Sequence, residues 1–580
     1  MQLKLRDTAV IGGLVILLVV AGVVSALPPG ATPGTEAASP SSSLPAIRAY
    51  REGILGQPAA VNPLAARTQA DRDVVGLAFS GLLRTEPDGT PVPDLAERWT
   101  VDETGSLYTV RLRSDARWHD GEPVTVDDVA FTVRTIQDPA YTGPAAGSWE
   151  GVTVSIVDDQ TVSFRLATPI AGFVQALTQP LAPAHLLADA SVADLFEHPF
   201  GHQPVGSGPY RVVSLTPAEA VLEPAAIPGA LYGSSGPVVE PDPSADSLAP
   251  TPEPTIAGQP LPYLGRIELR FYPTAEDLAE AYEEGELDAV SGLAPAAAVN
   301  LAADTESRLL RYPLSTLTTV LLNVRPDKPG FYDPRVRRAL LLALDRDAIV
   351  ASVLAGIGTR ADAPIPSHSW AFDPDTSPRV AFDADAAAKL MKEAGWRKVD
   401  GRWTPEGWTK PYPLDVIAPT GEANPTTWSA ARQIAAAWKR FGFEVTLTAL
   451  PPDELVATRL AAGDFTTAVV DIALGADPDL YPLLGSTQTL VGGANLSGVQ
   501  SAALDRLLVA ARTPGTIEVR KKAYSDLQRF LTASQVLLPV YFRDEPVVVS
   551  QELDGVFGRQ VSDPGERYWD VLTWRLAADR

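Results

Sequence analysis

The feature that most constrains the fold is the alternation of strand-like and helix-like segments along the chain. The segments LYTVRL (107–112) and TVSFRL (161–166) place apolar side chains at every second position, which is typical of half-buried β-strands. The stretch 333–356 repeats apolar residues along one helix face, and it opens with Asp333 and Pro334, which are typical of a helix start. Because strands and helices alternate throughout, the sequence predicts an α/β fold.

Two further helices carry signals at their ends. The segment DADAAAKLMKEAGW begins at an N-cap that is either Asp383 or Asp385, and it ends at Gly395. The helical segment WSAARQIAAAWKRF ends at Gly442, and a strand-like segment follows it directly. Both patterns agree with the α/β class.

The chain is acidic and has no cysteine. At about 150 residues per domain, a chain of 580 residues has core enough for roughly three or four domains. Its formal net charge of −24 argues against a nucleic-acid partner, because a phosphate backbone needs a basic surface. The absence of cysteine excludes disulfides, thiolate nucleophiles and zinc–thiolate or iron–sulfur centres.

The first 27 residues predict export. A basic flank precedes an uncharged apolar run whose core, 9–27, is about as long as a helix that crosses a bilayer. Cleavage of a signal peptide after Ala26 and retention as a signal anchor both fit, and the length favours a retained transmembrane anchor. Either way the body lies outside the cytoplasm, at the cell surface or in the periplasm, and residues 28–45 form a disordered tether.

The densest group of potential metal ligands lies in ARWHDGEPVTVDDVAFTV (116–133). Asp120 and Gly121 are typical of a turn, and Thr125 with Asp128 is typical of the capping box that starts a helix. Once those residues have structural roles, one histidine and one glutamate remain, fewer than a metal site usually requires. We therefore interpret this stretch as a turn and a helix cap.

The other motifs of catalysis and metal binding are also missing. The chain has no Gly-x-Ser-x-Gly elbow, no His-Glu-x-x-His motif and no phosphate loop. Its five histidines are scattered, and a proline and a glycine separate His198 from His202. We therefore predict no catalytic residues, no metal site and no cofactor.

One internal segment does not fit a folded core. Residues 233–262 include eight prolines and few large apolar side chains, so they cannot bury enough surface to offset the entropy of ordering. We interpret them as a disordered surface insertion within a domain. A linker between two domains is the alternative, which the strand-like segment RIELRFYP directly after it disfavours.

Six blocks of the sequence share a likeness with one protein family, and the likeness extends over most of the chain from Tyr50 to Val556. The blocks are FSGLLRTEPDGTPVPDLAERWTVDETGSLYTVRLRSDARWHDGEPVTVDDVAFTVRTIQDP (79–139), PVGSGPYRVVS (204–214), AEAYEEGELDAVSGL (279–293), LLNVRPDKPGFYDPRVRRALLLALDRDAIV (321–350), FDADAAAKLMKEAGW (382–396) and LDRLLVAARTPGTIEVRKKAYSDLQRFLTASQVLLPVYF (504–542). In these motifs and in their order, the chain resembles the family 5 extracellular solute-binding proteins, the peptide/nickel-type binding components of ABC importers.

The resemblance implies a two-lobed periplasmic-binding-protein fold of type II. Two lobes of such proteins close over a ligand by a hinge motion, and in this family a further subdomain is appended to lobe I. Carried over to this chain, the resemblance implies lobe I at 46–70, 200–312 and 540–580 with the insertion 233–262 inside it, the appended subdomain at 71–199, and lobe II at 313–539.

The same resemblance implies a binding function. We expect the protein to capture a small solute, in the first place a peptide, and to deliver it as a monomer to ABC permease and ATPase subunits. The alternative is a membrane-tethered sensor, or another non-transport binding protein of the same fold, for a non-peptide solute. An extracellular hydrolase is disfavoured because the catalytic motifs are missing.

Three segments are implied to supply ligand contacts: the loop after VNPL, the segment PIPSHSWAFDP, and VVDIALGADPDL. The candidate ligand-binding residues are Thr68, Gln69 and Asp71 in the first segment, His368 and Trp370 in the second, and Asp471 and Asp477 in the third. Trp370 either stacks on the ligand or packs within the protein.

The third segment departs from the pattern of the peptide-binding members. Those members have an aspartate three residues before the Asp-Pro pair, and it pairs with the α-ammonium of the peptide. Here the Asp-Pro pair begins at Asp477 and the earlier position is Leu474, while Asp471 lies on the other face of a strand. The loop APTGEANPTTW (418–428) also has no lysine or arginine for a carboxylate. The amine anchor is therefore missing or moved.

Overall fold

The computed structural model describes residues 48–86, 89–143, 146–225, 264–303, 306–489 and 493–577. The predicted export segment (1–27), the predicted tether (28–45) and the predicted insertion (233–262) lie outside these ranges. Within the ranges, no helix combines the length and the apolar character that a membrane span requires.

The described elements alternate between strands and helices. The strands are β1 (Tyr50–Leu55), β2 (Leu83–Thr85), β3 (Pro91–Pro93), β4 (Ala96–Val101), β5 (Leu107–Leu112), β6 (Val152–Ile156), β7 (Thr161–Leu166), β8 (Tyr210–Leu215), β9 (Glu219–Pro224), β10 (Ile267–Tyr272), β11 (Ala289–Ser291), β12 (Ser307–Leu322), β13 (Gly358–Arg360), β14 (Arg397–Val399), β15 (Arg402–Thr404), β16 (Pro413–Pro419), β17 (Glu444–Leu450), β18 (Thr467–Ala473), β19 (Leu537–Ser550), β20 (Leu553–Asp554) and β21 (Arg575–Leu576). The α-helices are α1 (Gln69–Ala78), α2 (Val126–Ile136), α3 (Ala184–Leu187), α4 (Ala275–Glu283), α5 (Pro295–Leu301), α6 (Pro334–Leu342), α7 (Arg346–Val353), α8 (Ala384–Glu393), α9 (Pro425–Phe441), α10 (Tyr481–Leu484), α11 (Ala502–Arg512) and α12 (Ile517–Ser534). A π-helix spans Glu454–Leu460, and 3₁₀ helices span Ala146–Trp149, Ala171–Thr178, Val192–Asp194, Pro199–His202, Pro329–Phe331, Ser486–Thr489 and Pro564–Thr573.

One large mixed sheet organises the body. Among the described strands its order is β17-β16-β18-β12-β19-β11-β1-β10-β9-β8, with β13 paired to β19. Strand β1 is parallel to β10 and β11, and β16 is parallel to β17 and β18, while the other pairs are antiparallel. Parallel strands joined by helices are typical of an α/β fold, so the predicted class is confirmed.

Two long strands cross from one half of this sheet to the other. We call β8 to β11 with β1 the first half-sheet, and β16 to β18 the second half-sheet. Strand β19 pairs with β11 near its end, whereas β12 pairs with β18 over 316–322. The ladder between β12 and β19 shifts register between Pro313 and Leu317. The regular pairing is therefore interrupted between the two half-sheets.

A separate antiparallel sheet, in the order β4-β5-β7-β6, lies in the region predicted as the appended subdomain. We call it the small sheet. Tyr108, Val110 and Leu112 are buried along β5, and Val162 and Phe164 are buried on the neighbouring β7. The two alternating segments of the sequence thus form paired strands that share one buried face, as predicted.

The predicted helix starts and stops are also present. The side chain of Asp333 accepts a hydrogen bond from the Arg335 N–H at the start of α6, and Asp383 caps α8. Helix α9 ends at Gly442, which is in the left-handed region with φ 115°. The stretch 333–356 is helical, but it is divided into α6 and α7, because Asp345 caps a new helix by accepting from the Ala348 N–H.

The stretch 116–133 serves the fold. The Asp128 carboxylate accepts a hydrogen bond from the Thr125 N–H at 2.8 Å, in the capping box that begins α2. Gly121 has φ +98° in the turn that follows Asp120. The His119 ring lies 2.9 Å from the carbonyl oxygen of Gly208, whose own N–H donates to the end of α1. The predicted turn and cap are therefore confirmed.

Candidate ligand-binding site

A cavity of about 1690 Å³ lies among the described residues. Its walls come from α1 and the loop after it, the 3₁₀ helix Ala171–Thr178 beside the small sheet, the end of β18 with the loop after it, and the C-terminal segment 558–572. Pockets for small organic ligands usually measure about 300–1,000 Å³. This cavity is therefore large enough for an extended ligand of several residues.

The end of β18 forms one wall of the cavity. Six consecutive residues, 472–477, line it, and the Leu474 N–H donates to the Ser315 carbonyl at 3.1 Å. The Leu474 side chain belongs to an apolar cluster with Leu317 and Ile365, and only 6% of its surface is exposed. The position at which an amine-binding acid was sought is therefore an apolar part of the wall.

A cluster around Arg520 stands directly behind this wall. We call Trp370, Asp477, Arg520 and Tyr524 the Arg520 cluster. Arg520 donates to both carboxylate oxygens of Asp477, at 2.6 and 2.9 Å, and the Tyr524 hydroxyl donates to the same carboxylate at 3.1 Å. The Trp370 ring lies 4.7 Å from the guanidinium carbon and packs edge-on against Tyr524 at 5.3 Å. The carboxylate of Asp477 thus already accepts three hydrogen bonds from groups of the protein itself.

The electrostatics of this cluster follow from its burial. Burial acts to lower the pKa of Arg520, but hydrogen bonds and the charge of Asp477 outweigh it and raise that pKa overall. Burial, together with the negative charge of Asp477, raises the pKa of Tyr524 far above its ordinary value. At neutral pH Arg520 is therefore charged and Tyr524 is neutral.

The arginines that line the described part of the cavity all have internal partners. Four are paired with carboxylates and one with main-chain carbonyls: Arg72 with Asp563 at 2.9 Å, Arg84 with Glu86 at 2.5 Å, Arg311 with Asp544 at 2.6 Å, Arg512 with Asp479 at 2.9 Å, and Arg559 with the carbonyl oxygens of Thr85 and Glu86 at 2.9 Å each. The Arg512 guanidinium also lies over the Tyr481 ring at 4.5 Å, and that of Arg559 lies over Trp569 at 4.7 Å.

The cavity is bridged where the small-sheet region meets the loops beyond β18. A Cβ atom added to Gly172 would lie 3.0 Å from the Asp477 Cβ, and one added to Gly105 would lie 2.6 Å from the Pro514 Cγ. Gly105 also has φ +69°, which disfavours other residues. Glycine at these positions therefore permits close contact between the two walls.

Three of the seven predicted site residues line the cavity: His368, Trp370 and Asp477. Burial lowers the pKa of His368, against the opposing effect of Asp544, so its ring is neutral at neutral pH. Asp471 lies on the other face of β18, as its spacing from Leu474 predicts. Its carboxylate accepts hydrogen bonds from Thr318, Asn424 and Thr427 at the start of α9.

Thr68, Gln69 and Asp71 are not among the residues that line the cavity, although Ala66 and Arg72 of the same segment are. The buried Asp71 carboxylate accepts hydrogen bonds from four main-chain N–H groups, those of Ala59, Ala60, Arg67 and Thr68. Thr68 caps α1 by accepting from the Asp71 N–H at 3.0 Å. The Thr68 and Asp71 side chains thus hold the loop and the helix start, and the assignment of Thr68, Gln69 and Asp71 as ligand contacts stays a prediction. The Thr-x-x-Asp spacing of a capping box was the signal that could have shown this role.

Sequence reasoning missed several residues at the cavity. Arg512 from α11, and Arg559 and Trp569 from the C-terminal segment, line the cavity, whereas Arg520 and Tyr524 from α12 lie behind it and bind the lining residue Asp477. An arginine on an amphipathic helix is usually a solvated surface residue, so no local pattern marks these positions. Their role depends on which carboxylate the fold places beside them.

Known proteins resemble this chain over most of its length. A family model described as "Bacterial extracellular solute-binding proteins, family 5 Middle" matches residues 90–490. The oligopeptide-binding protein AppA of Bacillus subtilis is 24% identical over 531 residues, which cover 90% of this chain and 91% of that protein.

Solved structures share the fold. The structure of AppA from Bacillus subtilis in complex with a nonapeptide has a TM-score of 0.68 at 22% identity, covering 91% of this chain and 99% of that one. The structure of NikZ from Campylobacter jejuni in complex with Ni(L-His) has a TM-score of 0.68 at 23% identity, with the same coverage of 91% and 99%. The resemblance inferred from the sequence blocks is thereby confirmed. This chain belongs to the bacterial extracellular solute-binding proteins of family 5.

Proposed function

We propose that this protein captures a peptide in the cavity and delivers it to an ABC-type permease for import. The observation that carries the proposal is the size of the cavity together with the wall formed by 472–477. An extended stretch of main chain along a groove offers N–H and C=O groups to an extended peptide, whatever its side chains. The relative from Bacillus subtilis, whose name describes an oligopeptide-binding protein, supports the same ligand class.

The domain arrangement implied by the sequence forms part of the proposal. Lobe I at 46–70, 200–312 and 540–580 would contain the first half-sheet, the subdomain at 71–199 the small sheet, and lobe II at 313–539 the second half-sheet. The register shift between Pro313 and Leu317 supports a hinge at the boundary between lobes I and II.

We also propose that residues 1–27 hold the protein at the outer face of the cytoplasmic membrane as a retained anchor. The body would work there as a monomer that binds its ligand and catalyses no reaction. Recovery of the full-length protein in the membrane fraction, with an uncleaved N-terminus by mass spectrometry, is the expected result. A mature chain that begins after Ala26 would instead identify a signal peptide.

Thermal unfolding of the full chain tests the ligand class. A ligand present at 100 times its Kd stabilises the folded state by about 2.7 kcal/mol, which raises the Tm measurably. We expect peptide mixtures of roughly two to ten residues to raise the Tm. The matching mixture of free amino acids is the control. The proposal fails if no peptide mixture changes the Tm while a non-peptide solute raises it.

A further inference from the structure

We propose that the cavity is built for a ligand whose enclosed part carries no charge, such as a peptide segment with uncharged side chains and capped, cyclised or protruding ends. The proposal rests on the proposed function, that the ligand is a peptide. It goes further because it states which end groups and side chains the cavity accepts. The arrangement of ion pairs in the walls carries the inference.

The Asp477 carboxylate cannot receive a ligand amine without losing its arginine. Both of its oxygens accept from Arg520, one of them also accepts from the Tyr524 hydroxyl, and Gly172 packs against its Cβ. The side chains of Asp477 and Arg520 are only 11% and 9% exposed. An ammonium group would therefore have to replace a bidentate pair that is already formed and already desolvated.

Asp479, which also lines the cavity, likewise has partners on both carboxylate oxygens. One oxygen of Asp479 pairs with Arg512 at 2.9 Å, and the other accepts from the Tyr481 N–H at 2.9 Å. The Tyr481 ring covers the guanidinium of Arg512. This pair therefore offers no free carboxylate to the cavity, and the guanidinium already has a carboxylate partner.

The remaining arginines of the described wall also have partners within the protein. Arg72, Arg84 and Arg311 form ion pairs in more exposed positions, with side-chain exposures of 33%, 41% and 45%. The Arg559 guanidinium donates to two main-chain carbonyl oxygens. A ligand carboxylate would thus compete with an internal acceptor at each of these positions.

Three further acids line the cavity: Asp94, Glu150 and Glu566. Glu150 is exposed to solvent, whereas the Glu566 carboxylate accepts a hydrogen bond from the Ser562 N–H and burial raises its pKa. Burial raises the pKa of Asp94 to about 6, against the effects of Ser80 and two nearby arginines. Each arginine–carboxylate pair in the part of the wall that the structure describes is therefore compensated within itself, and the lining also includes the apolar side chains of Leu474 and Phe173.

The physical consequence concerns desolvation. A charged group that leaves water for an enclosed site needs an opposite charge that is still free, and otherwise its burial is unfavourable. Amide groups need only hydrogen bonds, which a lining of main-chain groups can supply. The cavity should therefore select against charge and tolerate variation among uncharged side chains.

The decisive experiment compares four forms of one uncharged peptide on the full chain by isothermal titration calorimetry. The forms are the free peptide, the N-acetylated peptide, the C-amidated peptide, and the peptide with both modifications. We expect the doubly modified form to bind at least about tenfold more tightly than the free form, because neither of its ends has to lose charge solvation. Its Kd should change less than about twofold between roughly 50 mM and 500 mM salt.

The outcomes separate this inference from the proposed function. If the free peptide binds more tightly than the doubly modified one, and salt weakens the binding of the free peptide, the wall recognises charged ends and the inference is overturned. If none of the four forms binds, and longer peptides also fail, the peptide function itself is overturned.

Two substitutions test the cause. Leu474→Asp places an uncompensated carboxylate in the wall and should shift the preference toward free N-terminal amines by about tenfold, whereas Leu474→Asn should not.

Glu86→Gln, at an exposed pair whose loss the fold should tolerate, frees Arg84 and should favour a free C-terminal carboxylate. Arg84→Gln is the matched control for that effect. Unchanged preferences in both Leu474→Asp and Glu86→Gln would overturn the inference.

Discussion

Arg567 and Arg520 are both buried arginines paired with carboxylates, but they serve different parts of the molecule. Arg567 lies between Glu52 and Asp73, and all three side chains are at most 1% exposed. Arg520 pairs with Asp477 alone, behind the cavity wall, where both side chains keep about a tenth of their surface exposed. The first pair is sealed in the core, and the second lies next to the space for a ligand.

The surroundings of the two arginines explain the difference. The Glu52 carboxylate also accepts hydrogen bonds from the Tyr50 and Tyr568 hydroxyls, so this network joins β1, α1 and the C-terminal 3₁₀ helix. Arg520 lies over the rings of Trp370 and Tyr524, and Trp370 lines the cavity. The same pairing chemistry therefore stabilises the fold in one place and shapes the binding wall in the other.

The largest expected effect is that of Arg567→Met. Removal of the guanidinium leaves two buried carboxylates without compensation, and the free energy of unfolding should fall by about 3–5 kcal/mol. Urea denaturation measures this loss. Arg211→Met, which breaks an exposed pair with Glu223, is the control and should change stability by less than about 0.5 kcal/mol. A comparably small loss for Arg567→Met would mean that the buried pairs of Arg567 contribute no more to stability than an exposed pair does.

Arg520→Gln should cost less stability, about 1.5–3 kcal/mol, because Asp477 lies beside the cavity and can regain water. The same change leaves the carboxylate free, so affinity for peptides with a free amine should rise. Calorimetry on Arg520→Gln and on the double variant Arg520→Gln/Asp477→Asn measures this. If affinity for these peptides rises equally in both variants, the increase does not come from the released carboxylate.

Trp370→Ala should lower ligand affinity by about 1–3 kcal/mol, provided that the ring contacts the ligand as well as Arg520. Stability should change less than in either arginine variant, because Trp370 is only partly buried. Trp408→Ala is the matched control, since that ring is 40% exposed and packs on Tyr412 instead. Equal affinities for both variants would assign Trp370 to packing alone.

The smallest expected effect is on the pH dependence of stability, through Glu545 near Arg567 and Asp73. Burial raises the pKa of Glu545 to about 7, with Arg567 and Arg543 opposing the rise and Asp73 adding to it. The folded-state pKa lies above the ordinary value of 4.5, so between about pH 4.5 and 7 the folded protein binds more protons at Glu545 than the unfolded chain does. The free energy of unfolding therefore falls as pH rises through that window.

Glu545→Gln removes that dependence. Relative to the natural protein, the variant should gain on the order of 1 kcal/mol in unfolding free energy between about pH 4.5 and 7. Urea denaturation at several pH values measures the difference. A difference that stays constant with pH would show that Glu545 titrates alike in the folded and unfolded chains.

Local features of this protein were determined by the sequence itself. The caps at Thr125, Asp333 and Asp383 and the helix stop at Gly442 depend on groups within one helical turn, so a short stretch of residues contains the whole cause. The alternation in 107–112 likewise identified a strand and its buried face. The division at Asp345 was missed because a continuous apolar stripe does not reveal an internal cap.

The candidate site was determined only by the tertiary structure. Asp477 and Arg520 are 43 positions apart, and Asp73 and Arg567 are 494 positions apart. Asp73, Arg520 and Arg567 lie on helices and Asp477 lies in the loop after β18, and no local pattern in these segments marks an acid or an arginine as buried. Whether such a charge ends up sealed, exposed or beside a cavity depends on which distant group the fold brings to it. Ion pairing acts across space within a few ångströms, and no local pattern records the partner.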